Sequence, residues 1–119
     1  MKHSPEFLAM ANAAKQRIKE ASPEDVRKLA AHGAVVIDVR DAHEYEAGHI
    51  DGAVNISRGT LEMRITEVVP DKNAPVVCYC AGGNRGALAT DTLVQMGYKN
   101  AVSICGGLTA FRQSGDGDR

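Results

Sequence analysis

The sequence predicts an α/β fold whose central, mostly parallel sheet is flanked by helices on both faces and preceded by an extra N-terminal helix. Short apolar runs that begin near residues 34, 76 and 101 have the length and composition of buried strands. Segments with apolar residues at helical spacing separate these runs, and strands that alternate with helices are typical of a parallel sheet. In such folds, ligands bind at the carboxyl ends of the strands.

The N-terminal segment predicts a helix from about Pro5 to Lys19. Ser4 supplies an N-cap hydroxyl and the proline after it suits the first helical position. Apolar side chains then recur at helical spacing: Phe7, Leu8, Ala11, Ala14 and Ile18. Because most amphipathic helices simply cover a core, we expect a packing extension over one edge of the domain, with a partner or dimer surface as the alternative.

A second helix start at Ser22-Pro23 predicts a short helix to about Ala31, which Gly33 ends. A buried strand over residues 34–38 follows it.

Further along the chain, residues 58–68 predict a helix or a pair of short turns. An apolar stripe over residues 87–96 predicts another helix, and Gly97 is placed to end it in a left-handed cap. Residues 101–105 predict the last parallel strand.

The chain is organised around residues 76–86, where a buried strand leads into a glycine-rich turn and then a helix. Gly82 and Gly83 let successive N–H groups turn inward and form an anion-binding concavity, to which the following helix adds the positive end of its dipole. Cys80 lies at this turn, where a thiol is favoured as the thiolate, and is a candidate nucleophile. Arg85 adds a positive charge that either lines the loop or braces it through a carboxylate. The alternative is a structural turn with an inert, buried cysteine.

Residues 80–85, Cys-Ala-Gly-Gly-Asn-Arg, resemble the six-residue active-site loop of rhodanese domains, the thiosulfate and persulfide sulfurtransferases. Other stretches resemble the amino-terminal and carboxyl-terminal signatures of that family, in the expected order: 36–40, 44–45, 48–56 and 106–111. Phe111 stands at a position often held by Trp. The matches together cover about residues 22–111, so the sequence is identified as a member of this family.

The resemblance implies a single-domain rhodanese that moves a sulfane sulfur from thiosulfate or a persulfide donor, through a Cys80 persulfide, to cyanide, a thiol or a sulfur-accepting protein. It implies no cofactor and no metal. Asp38 and Arg40 would support the site by bracing loops, because half-buried charges at a strand end must be paired or solvated. The rest of the loop would bind the substrate and the persulfide: Ala81, Gly82, Gly83, Asn84, Arg85 and Gly86.

Two alternatives remain open. Rhodanese-fold phosphatases and arsenate reductases have five residues between their Cys and Arg, whereas four separate Cys80 from Arg85, which favours sulfur over a tetrahedral oxyanion. Many rhodanese-like domains are non-catalytic interaction or sulfur-carrier modules, and the retained cysteine argues against that class. Gly86, where the family often has serine, and the lack of a cationic side chain at Ala81-Gly82 favour a low turnover of thiosulfate.

The length of 119 residues indicates one domain, with a helical extension over 1–21, the rhodanese-like domain over 22–113 and a flexible tail over 114–119. The formal net charge of −1 and the interspersed charges indicate no nucleic-acid partner. Three cysteines that do not form a disulfide framework suit a reducing compartment, so we expect a cytoplasmic protein. The first twenty residues hold no long apolar core, so we expect no secretory signal and no membrane association.

The remaining histidines and cysteines are not expected to take part in the chemistry. His43 and His49 lie near the motif residues, but attack by an existing thiolate on sulfur needs no dedicated base, and a metal site needs several converging ligands. Cys78 and Cys80 are expected to point to opposite faces of their strand and so to share neither an ion nor a disulfide. Cys105 is expected in the core, with a resolving thiol as the alternative.

Overall fold

The computed structural model describes residues 3–115 and shows six α-helices and five strands in that range. The helices are α1 (Pro5–Arg17), α2 (Pro23–Ala31), α3 (Ala42–Ala47), α4 (Leu61–Val68, after a 3₁₀ turn at Arg58–Thr60), α5 (Asn84–Gln95) and α6 (Gly107–Ser114). The strands are β1 (Lys19–Ala21), β2 (Val35–Asp38), β3 (Val54–Asn55), β4 (Val76–Tyr79) and β5 (Ala101–Ile104).

The strands form one sheet in the order β1-β5-β4-β2-β3, and each neighbouring pair is parallel. Side chains of β4 alternate between the two faces. Val76 and Cys78 pack with α4 and α5 on one face, whereas Val77 and Tyr79 pack with α2 and α6 on the other. The predicted α/β fold, with helices on both faces of a parallel sheet, is confirmed.

The N-terminal helix is also confirmed, but it is shorter than predicted. Ser4 caps it by accepting a hydrogen bond from the Phe7 N–H at 3.0 Å. The helix ends at Arg17, because the backbone of Ile18 is extended and residues 19–21 pair with β5 as the edge strand β1. The prediction that the helix reaches Lys19 was therefore wrong.

Most of the other predicted elements are present. Ser22 caps α2 by accepting from the Asp25 N–H at 3.1 Å. The backbones of Gly33 and Gly97 have positive φ angles, +96° and +102°, at the ends of α2 and α5. The segment 58–68 forms the 3₁₀ turn and α4.

The C-terminal part differs from the prediction at Cys105. β5 ends at Ile104, and the chain turns at Gly106 and Gly107, with φ of +77° and +63°. Cys105 follows the strand, and its N–H still donates to the Ala21 carbonyl at 2.9 Å. The residue is exposed, so its expected place in the core was wrong. Ser114, the first residue of the predicted tail, ends α6, and residues 116–119 lie outside the described part of the chain. No helix within residues 3–115 is long and apolar enough to cross a membrane.

Candidate active site

The candidate site lies where the central strand ends and α5 begins. β4 ends at Tyr79, the chain turns through Gly82 and Gly83, and α5 starts at Asn84. Gly83 has a φ of +110°, a backbone conformation that residues other than glycine rarely adopt. The loop thus joins the carboxyl edge of the sheet to a helix N-terminus, as the sequence predicts.

The sulfur of Cys80 is held by backbone donors inside this loop. The N–H groups of Gly83 and Gly86 each lie 3.2 Å from Cys80 Sγ. The Cys80 side chain is buried beneath a small cavity of about 70 Å³. The described residues that line this cavity are His3, Phe7, Cys80, Ala81, Gly82, Asn84 and Arg85. The loop therefore supplies two backbone N–H donors, an arrangement suited to a negative charge on sulfur.

Gly86 fits a position that leaves little room for a side chain. A Cβ placed there would lie 3.2 Å from both Ser103 Oγ and Tyr79 Cα and 3.3 Å from the Cys80 nitrogen. Two of these three atoms belong to the backbone of the central strand and its loop. A serine at this position would thus need the strand and loop to shift by a few tenths of an ångström.

Arg85 is held by a carboxylate from outside the loop. Its Nη1 and Nη2 donate to Glu44 Oε1 and Oε2 at 2.9 and 3.1 Å, a bidentate ion pair. The Arg85 hydrogen bonds, against the opposing effect of burial, lower the pKa of Glu44 to about 2. Sequence analysis did not single out Glu44 as a site residue. The sequence pattern that could have identified Glu44 is the Asp-x-x-Glu of a capping box. Asp41 is the N-cap of α3, and the Asp41 N–H donates to Glu44 Oε1 at 3.1 Å.

Asp38 and Arg40 form a second ion pair at the end of β2, adjacent to β4. Arg40 Nη2 donates to Asp38 Oδ2 at 2.7 Å and to the Gly48 carbonyl at 2.7 Å, and the Arg40 backbone N–H donates to Asp38 Oδ1 at 2.9 Å. Both side chains are buried. Neither side chain lines the cavity above Cys80. Through the contact with Gly48, the pair connects β2 to the loop that precedes β3.

The start of α6 contacts the backbone of the Cys80 loop. The N–H groups of Leu108 and Thr109 donate to the carbonyls of Cys80 and Ala81 at 2.8 and 3.1 Å. Gly107 makes this approach possible, since a Cβ there would lie only 2.6 and 2.7 Å from the Ala81 and Cys80 carbonyl oxygens. Residues 106–111 resemble a family signature, but the sequence did not predict that this turn binds the loop backbone.

The other two cysteines lie in contrasting environments. Cys78 belongs to the same core cluster as Cys80, so the expectation that they face opposite sides of the sheet was wrong, because residues two apart on a strand share a face. Burial raises the pKa of the Cys78 thiol to about 12, which keeps it protonated near neutral pH. Cys105 is exposed.

His49 has structural contacts. Its Nδ1 lies 2.8 Å from the Tyr45 carbonyl, and its ring stacks on the Tyr45 ring with 3.7 Å between centroids. Among residues 3–115 no group of three or more His, Cys, Asp or Glu side chains is arranged to hold a metal ion.

Comparison with known proteins identifies the family of this chain. The family described as Rhodanese-like domain matches residues 22–114. Thiosulfate sulfurtransferase GlpE of Pseudomonas entomophila is 38% identical over 100 residues, covering 84% of this chain and 90% of that protein.

Two solved structures are similar over most of the chain. A protein of unknown function from Rhodopseudomonas palustris, named a possible tyrosine phosphatase, has a TM-score of 0.85 at 32% identity and covers 100% of this chain and 98% of that one. The polysulfide-sulfur transferase homodimer of Wolinella succinogenes has a TM-score of 0.76 at 33% identity and covers 91% of this chain and 82% of that one.

Proposed function

The chain belongs to the rhodanese-like domain family and is a sulfurtransferase, and we propose that its reaction proceeds through a persulfide on Cys80. The observation that carries this proposal is the pair of N–H groups, from Gly83 and Gly86, that donate to Cys80 Sγ at 3.2 Å. Backbone donors fixed around a sulfur favour its anionic form and need no reorganisation during the reaction.

In the first half of the reaction, the Cys80 thiolate attacks the outer sulfur of thiosulfate. The S–S bond of the donor breaks, sulfite leaves with the bonding electron pair, and the outer sulfur remains on Cys80 as a persulfide anion. With a persulfide donor, the leaving group is a thiolate. The negative charge then lies on the terminal sulfur, next to the loop residues Ala81, Gly82 and Asn84 that line the cavity.

In the second half, cyanide or a thiolate attacks the terminal sulfur. The persulfide bond breaks, its electron pair returns to Cys80, and the product is thiocyanate or a new persulfide. The acceptor in a cell is a small-molecule thiol or a sulfur-accepting protein. The two displacements balance without an external oxidant or reductant, so we propose no cofactor.

A phosphatase is the rival enzyme class, and one relative carries that name. Two features favour sulfur. Four residues separate Cys80 from Arg85, one fewer than in the phosphatases and arsenate reductases of this fold. Each terminal nitrogen of Arg85 donates one N–H to Glu44, so a bidentate contact of these same N–H groups with a phosphate would require breaking that pair.

A non-catalytic interaction or sulfur-carrier module is the rival of another class. The two backbone N–H groups that donate to Cys80 Sγ argue against a non-catalytic module. Donors fixed around a sulfur stabilise the negative charge that develops there during a reaction. We further propose that residues 22–113 form the sulfurtransferase domain, with 1–21 as an extension and 114–119 as a tail. We place its action in the reducing cytoplasm, without a nucleic-acid or membrane partner.

The test is peptide mass spectrometry of the unreduced protein after incubation with thiosulfate, combined with a thiocyanate assay. We expect the mass of one sulfur atom on the Cys80 peptide and loss of thiocyanate formation in Cys80→Ala. Cys105→Ala, which removes an exposed thiol, is the matched control and should retain activity. Sulfur found chiefly on Cys78 or Cys105, or Cys80-dependent aryl-phosphate hydrolysis that exceeds sulfur transfer, would contradict the proposal.

A further inference from the structure

The N-terminal helix lies outside the segment that matches the family, residues 22–114, yet it reaches the candidate site. His3 and Phe7 line the cavity above Cys80 together with residues of the catalytic loop. Their rings pack against each other with 4.8 Å between centroids. The outer side of the cavity is therefore aromatic and belongs to the extension.

The helix is fixed in this place by its contacts with α5. Ala11 and Ala14 are fully buried, and such small side chains let two helices approach closely. Lys15 Nζ donates to Asn84 Oδ1 at 3.0 Å, and Asn84 is itself a cavity residue.

A bidentate ion pair adds a second anchor two residues further along α1. Arg17 Nε and Nη2 donate to Asp91 Oδ1 and Oδ2 at 3.1 and 2.7 Å. Asp91 is buried within α5, and the hydrogen bonds from Arg17 lower its pKa. The helix thus has apolar contacts and two polar anchors that hold His3 and Phe7 over the loop.

We propose that α1 and His3, just before it, form the outer wall of the Cys80 site, and that His3 and Phe7 restrict the site to small sulfur donors and acceptors. The restriction to small sulfur donors rests on the proposed sulfurtransferase function, whereas the position of the wall beside Cys80 does not. A cavity of about 70 Å³ matches a group of a few heavy atoms, such as an inorganic thiosulfate, better than it matches an aromatic group.

The wall also supplies a basic side chain to the cavity. Ala81 and Gly82 carry no charge or hydrogen-bonding side chain, and Arg85 is engaged by Glu44. Among the described cavity residues, His3 is the other basic side chain, and an imidazole N–H donates to anionic oxygens. His3 therefore contributes to binding of the sulfonate end of the donor, next to the apolar face of Phe7.

The first experiment measures access to Cys80 independently of sulfur transfer. Cys80 is alkylated with iodoacetamide and with the bulkier N-phenylmaleimide, and each rate is read from the Cys80 peptide. We expect Phe7→Ala to raise the maleimide rate relative to the iodoacetamide rate by roughly tenfold, in the range of steric discrimination by an apolar pocket. Leu8→Ala, an exposed apolar truncation on the same helix, is the matched control and should leave the ratio unchanged.

The second experiment compares kcat/KM for thiosulfate with kcat/KM for benzenethiosulfonate. In the second donor the transferable outer sulfur is bonded to a sulfonyl group that carries a phenyl ring. Phe7→Ala should shift the ratio toward the aromatic donor by roughly tenfold. His3→Ala should raise the KM for thiosulfate several-fold with little change in kcat. His32→Ala, which removes an exposed histidine on the α2 side of the protein, is the control.

The outcomes separate the two proposals. Equal behaviour of Phe7→Ala and Leu8→Ala in alkylation overturns the wall, whether or not sulfur is transferred. A wild-type protein that transfers sulfur from neither donor overturns the proposed function, while the alkylation ratio still decides the wall. If Phe7→Ala lowers the thermal stability, Phe7→Leu keeps an apolar side chain, and a shift of the same sign but smaller size supports the wall.

Discussion

Arg85 and Glu44 join the Cys80 loop to α3 through two N–H···O bonds of 2.9 and 3.1 Å. The pair is partly exposed to solvent, with a third of the Arg85 side chain and a quarter of the Glu44 side chain accessible. Glu44 also accepts from the N–H of Asp41, which caps α3. One carboxylate thus fixes the start of a helix and the arginine of the neighbouring loop.

The stability that this pair supplies should decrease in acid. The pKa of Glu44 is lowered from 4.5 to about 2 in the folded protein, chiefly by hydrogen bonds from Arg85. Because the unfolded chain binds the proton more tightly, the contribution is fully present above about pH 5 and is lost as the pH falls toward 2. We expect Glu44→Gln to lower the free energy of unfolding by about 1 kcal/mol at pH 7, since solvent screens a partly exposed pair.

Urea denaturation of the wild type and Glu44→Gln between pH 7 and pH 3 checks this prediction. The difference between the two proteins should shrink as the pH falls. Glu62→Gln is the control, because Glu62 forms a more exposed ion pair with Arg58 at 3.1 Å and should show a smaller difference at pH 7. A difference for Glu44→Gln that grows in acid would contradict the assignment.

Cys78 and Cys105 differ in burial, so their replacement should have different effects on stability. Cys78→Ser should lower the free energy of unfolding by about 1–2 kcal/mol, because it places a hydroxyl in the fully buried core cluster. Cys105→Ser should change it by less than about 0.5 kcal/mol, because that side chain is exposed. Denaturation curves and thiocyanate assays of both variants provide the measurement. Equal losses of stability, or loss of turnover in a folded variant, would contradict these roles.

The sequence predicted the elements with strong local signals. The central strands β2, β4 and β5 consist mostly of β-branched and apolar residues that are buried. It did not predict β1, whose residues Lys19 and Glu20 are exposed at the sheet edge. Pairing with β5 defines that strand, and no apolar alternation marks it in the sequence.

Contacts between distant segments were the least predictable part of the site. The loop from Cys80 to Gly86 follows from glycine spacing and the family resemblance, and the possibility of a carboxylate brace for Arg85 was recognised without its partner. Glu44 lies 41 residues from Arg85, and His3 is further still from Cys80 along the chain. Such pairs depend on tertiary packing, for which a single sequence gives no local signal.

Gly107 permits α6 to approach the catalytic loop, so an alanine there should impair the reaction. Gly107→Ala would place a Cβ 2.6 Å from the Ala81 carbonyl oxygen and push the loop out of position. Gly97→Ala is the matched control, because its φ is +102° but no atom lies within 4 Å of the added Cβ. Both variants should lose about 1–2 kcal/mol of stability from the left-handed backbone.

Only Gly107→Ala should lower kcat/KM for sulfur transfer, by more than roughly tenfold, since small displacements of catalytic groups are costly. Steady-state assays below the unfolding temperature of both variants provide the comparison. Equal activity in the two alanine variants would show that α6 does not position the loop.

The hydroxyl of Ser103 lies in the core beneath the loop and has no hydrogen-bond partner among the described residues. The side chain is fully buried, and it sits beside Cys78 in the register of β4 and β5. An unsatisfied buried hydroxyl costs about 1–3 kcal/mol of desolvation. Ser103→Ala should therefore leave the free energy of unfolding unchanged or raise it by up to about 1 kcal/mol.

Thr90→Val is the matched control for this variant. Thr90 is also fully buried, but its Oγ1 donates to the Gly86 carbonyl at 2.8 Å. Removing the hydroxyl takes away one of the hydrogen bonds that the Gly86 carbonyl accepts, while its helical N–H donor stays, and should cost about 1 kcal/mol. Urea denaturation of the three proteins at one pH gives both differences, with thiocyanate formation as the check that the loop is intact. A loss in Ser103→Ala as large as that in Thr90→Val would mean that the Ser103 hydroxyl is hydrogen-bonded in solution, and would overturn its assignment as an unsatisfied group.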